Sequence, residues 1–143
     1  MSRNNKTIGS FGERLAADYL KDKDFKIIYR NYRCRFGEID IIALKRIDLV
    51  FIEVKTRSCL DYGLPFEAVA INKLKKIKKA SQYFLMNNEI TENKKYNFRF
   101  DIVSVIISEE LRSAVLFEKH DDVIDISKLK KGIDYSIKHF TYV

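Results

Sequence analysis

From Phe11 onward the apolar residues Phe11, Leu15, Ala16, Tyr19 and Leu20 recur at the spacing of one helical face. Ser10 and Glu13 form an S-x-x-E pair, the pattern of a capping box, so a helix is expected to open at Ser10 and to close near Asp22. Three runs of β character follow over residues 25–33, 34–44 and 49–57, with residues 45–48 as the turn between the last two. That turn lacks the Asn-Gly signature of a tight hairpin. Residues 58–65, punctuated by Gly63 and Pro65, predict a loop. A long helix is expected over residues 66–87, with Ile71, Leu74, Ile77, Ser81, Phe84 and Leu85 on its buried stripe. Lys73, Lys75, Lys76, Lys78 and Lys79 crowd its other faces. Residues 88–96 are polar and predict a loop, residues 97–108 a strongly β-branched strand, and residues 114–119 one more strand. The tail over residues 128–143 is basic and aromatic, and its pattern selects no one element.

The order helix, three strands, helix, strand predicts an α/β fold: a central mixed β-sheet flanked by helices, in a single domain over residues 1–143. Helices on both faces account for a hairpin that is apolar on both sides.

That hairpin, GEIDIIALKRIDLVFIEVKTR from Gly37 to Arg57, also carries Glu38, Asp40, Glu53 and Lys55. Charged groups are rarely buried unless paired or metal-bound. A turn centred between Arg46 and Ile47 sets Asp40 opposite Glu53 and Glu38 opposite Lys55, all on one face. The other face then carries Ile39, Ile41, Ala43, Val50, Ile52 and Val54. A one-residue slip would separate the acids. Opposed carboxylates repel, and either a shared proton or a divalent cation resolves the repulsion. Mg²⁺ takes one or two carboxylates and keeps water positions for substrate phosphates. A lysine two residues beyond Glu53 then serves the attacking water or a phosphate oxygen, which gives D…ExK a logic for phosphodiester hydrolysis. The plainer reading is a charge ladder on a solvated strand end, with Glu38–Lys55 as a cross-strand ion pair.

Composition narrows the setting. Hydrophobic residues make up 46% and aromatics 13%, enough for a packed interior and against global disorder. The net charge of +7 favours polyanionic partners, although a lysine-rich composition produces the same excess without one. Cys34 and Cys59 form no CxxC pair, and His120 and His139 stand in no metal-ligand spacing. The opening MSRNNKTIGSFG has no apolar signal core and no run of about 18 apolar residues appears, so no membrane association is expected and the default compartment is the cytoplasm.

GEIDIIA, then FIEVKTR, then NFRFDIV, preceded by GSFGERLAADYL, resembles the YraN-type bacterial family of predicted endonucleases. That family is similar to archaeal Holliday junction resolvases and to the restriction-endonuclease-like PD-(D/E)xK nucleases. The resemblance covers about residues 8–107 and fades beyond Glu109. It implies a restriction-endonuclease-like fold, Asp40 and Glu53 as metal ligands, Lys55 as catalytic lysine, and Glu13 reaching the same metal or its water shell. The cofactor implied is Mg²⁺ or Mn²⁺. The proline of the motif's name is absent, since Ile39 precedes Asp40.

Other residues admit two readings. Glu13 is either a helix cap or a site residue. Glu38 is Lys55's partner or a further metal-side acid. Arg57 and Lys73 contact phosphate or belong to solvated surfaces, and Lys76 shares the lysine-rich helix proposed to line a phosphate-binding rim with the basic tail. Asp101, inside an apolar strand, is expected to pair with Arg99 or another base. The function expected is a metal-dependent endonuclease of DNA, with branched or structured DNA favoured because nothing here reads base edges. The alternatives are a nucleic-acid-binding module without catalysis, or a scaffold of a DNA-processing complex that keeps the fold. A homodimer is expected only by analogy with resolvases.

Overall fold

The computed structural model describes residues 2–58, 66–91, 95–118 and 124–142, the side chains of 66–71, 91 and 142 excepted. The predicted loop with Cys59, Gly63 and Pro65 lies outside the described residues, as does His120.

Helix α1 spans Arg3–Asp22 and starts about two turns before the capping-box pattern places it. Its N-cap is Ser2, whose hydroxyl accepts from the Asn5 N–H at 3.2 Å. Residues 2–6 are all exposed, and burial begins at Ile8, so apolar periodicity marked only the part of the helix that touches the sheet. Ser10 and Glu13 are therefore mid-helix, which removes the capping role for Glu13.

The strands are β1 Lys26–Cys34, β2 Gly37–Lys45 and β3 Asp48–Ser58, followed by α2 Phe66–Asn87 and β4 Asn97–Ile107. Helix α3, Glu109–Glu118, replaces the strand expected at residues 114–119. Ser108 supplies its cap by accepting from the Leu111 N–H at 3.1 Å, and Glu109 and Glu110 suit the positive end of the helix. The basic tail forms β5, Tyr135–Tyr142. The sheet order is β1-β2-β3-β4-β5, mixed, with only β3 and β4 parallel and α2 as the crossover between them.

Both faces are covered. Phe11, Leu15 and Leu20 of α1 and Leu111 and Val115 of α3 pack on Ile41, Val50, Ile52, Val103 and Val105. On the other face Ile77, Ala80 and Phe84 of α2 pack on Ile39, Ile42, Leu49 and Phe51. Helix α1 sits very close to β3 at Gly12: a Cβ there would lie 1.7 Å from the Thr56 hydroxyl oxygen. This contact fixes the height of the next residue, Glu13, over the sheet.

Asp101 does pair with Arg99, by two bonds of 2.9 Å, and Arg99 continues to Asp48 at 3.1 Å. His139, brought in by β5, is not solitary: its Nε2 lies 2.6 Å from Asp101 and its Nδ1 3.2 Å from the Tyr19 hydroxyl. Burial alone would raise the Asp101 pKa, but the bonds from His139 and Arg99 outweigh it and hold the carboxyl below its usual range.

Gly12→Ala is expected to cost about 1–3 kcal/mol through overpacking against Thr56. Thermal unfolding of the variant measures it, and Gly9→Ala, which meets nothing within 4 Å, is the matched control.

Candidate active site

The β2–β3 ladder follows the expected register from Lys45↔Asp48 to Ile41↔Ile52, and there its paired residues end. The Val54 N–H instead donates to the Asp40 carboxylate at 2.8 Å. A side chain thus takes the place of a strand carbonyl, and Asp40 is held inside the sheet between β2 and β3.

A second irregularity lies on the opposite side of β2. Asn31 of β1 takes φ 55°, a left-handed conformation that asparagine tolerates better than most residues. The β1–β2 register runs through Arg30↔Ile41 and Tyr32↔Ile39. Ile41 belongs to the α1-side core, but Ile39 belongs to the α2-side core. Strand β2 therefore turns over at Asp40. This corrects the expectation that Ile39 and Ile41 share a face.

The carboxyls of Asp40 and Glu53 are near neighbours, close enough for the Glu53 charge to act on Asp40. Burial, and then the Glu53 charge, push the Asp40 pKa up to about 8 against the pull of the Val54 N–H. Lys73 of α2 lies 2.5 Å from Glu53 Oε1. Burial would lower the Lys73 pKa, but the bond to Glu53 and the charges of Glu53 and Asp40 raise it overall.

Glu13 reaches this end of the sheet from α1. Its pKa is raised, first by burial and then by Glu53 and Glu38, against the Arg30 charge and a hydrogen bond from Asn31. Arg30 and Asn31 were not singled out in the sequence; the signal was an asparagine interrupting a β-rich run in FKIIYRNYR. Glu38 does not pair with Lys55. It is opposite Arg33 on β1 and bonds its guanidinium at 3.0 Å, because the β2–β3 ladder ends before reaching it.

Lys55 and Arg57 follow Glu53 by alternation on the same side of β3, both half-buried. Among the described residues no ion pair holds Lys55. Lys76, exposed on α2, stands beside the start of β2: its Cβ is 3.6 Å from where a Gly37 Cβ would lie. The structure thus draws Asp40, Glu53 and Lys73 together, with Glu13 within electrostatic reach.

Two neighbouring carboxylates, one with an oxygen anchored by a backbone N–H, are compatible with a hard cation that completes its shell with water. Among the described residues no three His, Cys, Asp or Glu side chains are grouped closely enough to hold an ion together. Asp40 and Glu53 are therefore the pair of acids this end of the sheet brings together, with Glu13 acting on them by its charge.

A five-stranded mixed sheet between helices, with acids where its second and third strands part, defines an α/β protein consistent with the restriction-endonuclease-like fold. The chain belongs to the uncharacterised protein family UPF0102, the YraN-type family its sequence blocks resemble; the family model matches residues 12–105. It is 46% identical over 107 residues to a UPF0102 protein of Caldanaerobacter subterraneus subsp. tengcongensis, covering 75% of this chain and 85% of that one. It is 50% identical over 104 residues to a UPF0102 protein of Clostridium botulinum strain Loch Maree, covering 73% and 83%. No helix among the described residues is long and apolar enough to cross a membrane.

The raised Asp40 pKa sets a pH dependence. The native carboxyl keeps its proton to about pH 8, whereas an unfolded aspartate loses it near pH ~4. In that interval the native state binds more protons, so this stabilisation is complete below the unfolded value and is lost as pH rises through 8. Without divalent ions, stability is expected to fall across this window with a slope of up to about 1.4 kcal/mol per pH unit. Denaturant unfolding at several pH values should show a flatter profile for Asp40→Asn.

Proposed function

We propose that this protein is a metal-dependent phosphodiesterase acting on nucleic acid, and that its substrate is structured DNA. The observation that carries the reading is the Asp40–Glu53 pair, built into the sheet by the Val54 N–H and held with a strongly raised pKa. Strongly perturbed acids with a built geometry concentrate at functional sites. Asp40 and Glu53 are the residues that would hold Mg²⁺ or Mn²⁺, which supplies charge stabilisation at the phosphate and a more acidic water.

The chain's own groups have separable parts. Asp40 would have to be ionised to hold a cation, so cation affinity should rise with pH. Glu13, beside the pair, is suited to orient water by hydrogen bonding. Lys55 offers its ammonium on the Glu53 side of β3, where it stabilises charge on a phosphate oxygen or orients the attacking water. Arg57, Lys73 and Lys76 supply further positive charge around the acids for the phosphate backbone, and contacts of that kind make binding salt-sensitive. One observation favours the second reading, a binding module without catalysis: Glu53 already carries a lysine ammonium.

Cleavage of linear, single-stranded and four-way-junction DNA with Mg²⁺ or Mn²⁺ tests the proposal. Lys55→Ala is expected to lose about 10²- to 10⁴-fold in rate, the range of a positioned proton-transfer group, while keeping DNA affinity. Equal cutting by wild type and variant would remove Lys55 from the chemistry. Tight junction binding with no cutting by either would establish the binding module.

A further inference from the structure

We infer that Lys73 is a built-in counter-cation of the Asp40–Glu53 pair, one that a divalent cation must displace and that then becomes available to the substrate phosphate. This deepens the phosphodiesterase reading and rests on it. The Lys73 ammonium is 2.5 Å from Glu53 Oε1, so a cation on the same carboxylate would meet a positive charge already in place. The Glu53 side chain is only 13% exposed, so the ammonium meets an acid largely withdrawn from water, where charge interactions are strong. A cation coordinated at about 2.0–2.1 Å by the same carboxylate would lie against this ammonium and repel it.

The residue is built to leave. The Lys73 side chain is 50% exposed, with a flexible stem and a point charge rather than a rigid fork. Its helix is anchored further along by buried Ile77, Ala80, Ser81 and Phe84, so the side chain swings without moving α2. Around it stand Lys76 on its own helix and, across the cleft, Glu53, Asp40 and Glu38. Among the described acids that act on Lys73, Glu38 is already bonded to Arg33, and Glu53 and Asp40 are the pair the cation would take. A phosphate oxygen brought to the cation would give the displaced ammonium a new partner. One lysine thus opposes metal entry in the absence of substrate and favours substrate once the metal is in place.

The proposal predicts opposite signs for two equilibria. Isothermal titration of Mn²⁺ into wild type, Lys73→Met and Lys73→Arg, at fixed pH and salt without nucleic acid, reads the first. Lys73→Met should bind Mn²⁺ about five- to tenfold more tightly, and Lys73→Arg no more tightly than wild type. Junction DNA binding in Ca²⁺ reads the second, and Lys73→Met should weaken it. A merely structural ion pair would shift the melting temperature and leave Mn²⁺ affinity unchanged. Equal Mn²⁺ affinity in wild type and Lys73→Met would overturn the exchange while leaving the metal site standing. Absence of Mn²⁺ binding in both would overturn the exchange and the phosphodiesterase reading together. Glu53→Gln, which removes the shared carboxylate, should abolish Mn²⁺ binding and serves as the reference for zero.

Discussion

One backbone donor, the Val54 N–H, organises this end of the molecule. A donor buried in a sheet must find an acceptor, and here the Asp40 carboxylate replaces the carbonyl that a continued β2–β3 ladder would have offered. That bond fixes an acid within the sheet and leaves the two strands parted beyond it. The neighbouring acid, Glu53, lies close enough to act on Asp40, whose pKa is raised, and the ammonium of Lys73 is bonded to Glu53. The helices complete the frame. Gly12 lets α1 approach β3 until Glu13 overlooks the pair, and α2 delivers Lys73 from the opposite face.

Much of the frame was legible in the sequence because it follows periodic rules. The register of the central hairpin needed only the position of its turn, and the observed pairs from Lys45↔Asp48 to Ile41↔Ile52 follow it. The bounds of α2 were equally plain, and its described stripe of Ile77, Ala80, Ser81 and Phe84 is buried as the spacing implies. What escaped were departures from periodicity. The turnover of β2 depends on one left-handed residue in the adjacent strand, Asn31, which no pattern in β2 itself records. The first turns of α1 carry no apolar residue, so nothing marked them as helix. Residues 114–119 contain a short apolar run that suits either state, and the cap at Ser108, outside the run, decided for helix.

The candidate site divides along the same line. The register extrapolated from the turn points Asp40 towards Glu53, but the observed ladder stops one pair short of them, and the Val54 N–H bond is what holds Asp40 there. That Lys73 reaches Glu53, and that Glu38 turns to Arg33, depends on how separate elements pack and on where the ladder ends. These contacts join residues across different parts of the chain, and a single sequence carries no local signal for them.

Two acids in this sheet show how structure separates what sequence makes look alike. Asp40 in EIDII and Asp101 in RFDIV are both aspartates flanked by apolar strand residues. Asp101 is fully enclosed, yet Arg99 and His139 bond both of its oxygens and hold it ionised. Its electrostatic demands are met, and meeting them stitches β5 and Tyr19 of α1 to the centre of the sheet. Asp40 receives one backbone N–H and faces a second carboxylate, so its pKa moves in the opposite direction. Among the described residues no base bonds it, and the Lys73 ammonium is bonded to its neighbour Glu53. A buried acid fully matched by bases has a structural explanation. An acid held in place by a dedicated backbone bond, with a second carboxylate beside it and no matching base among the described residues, has no such explanation, and this contrast is the physical reason to look for chemistry at Asp40.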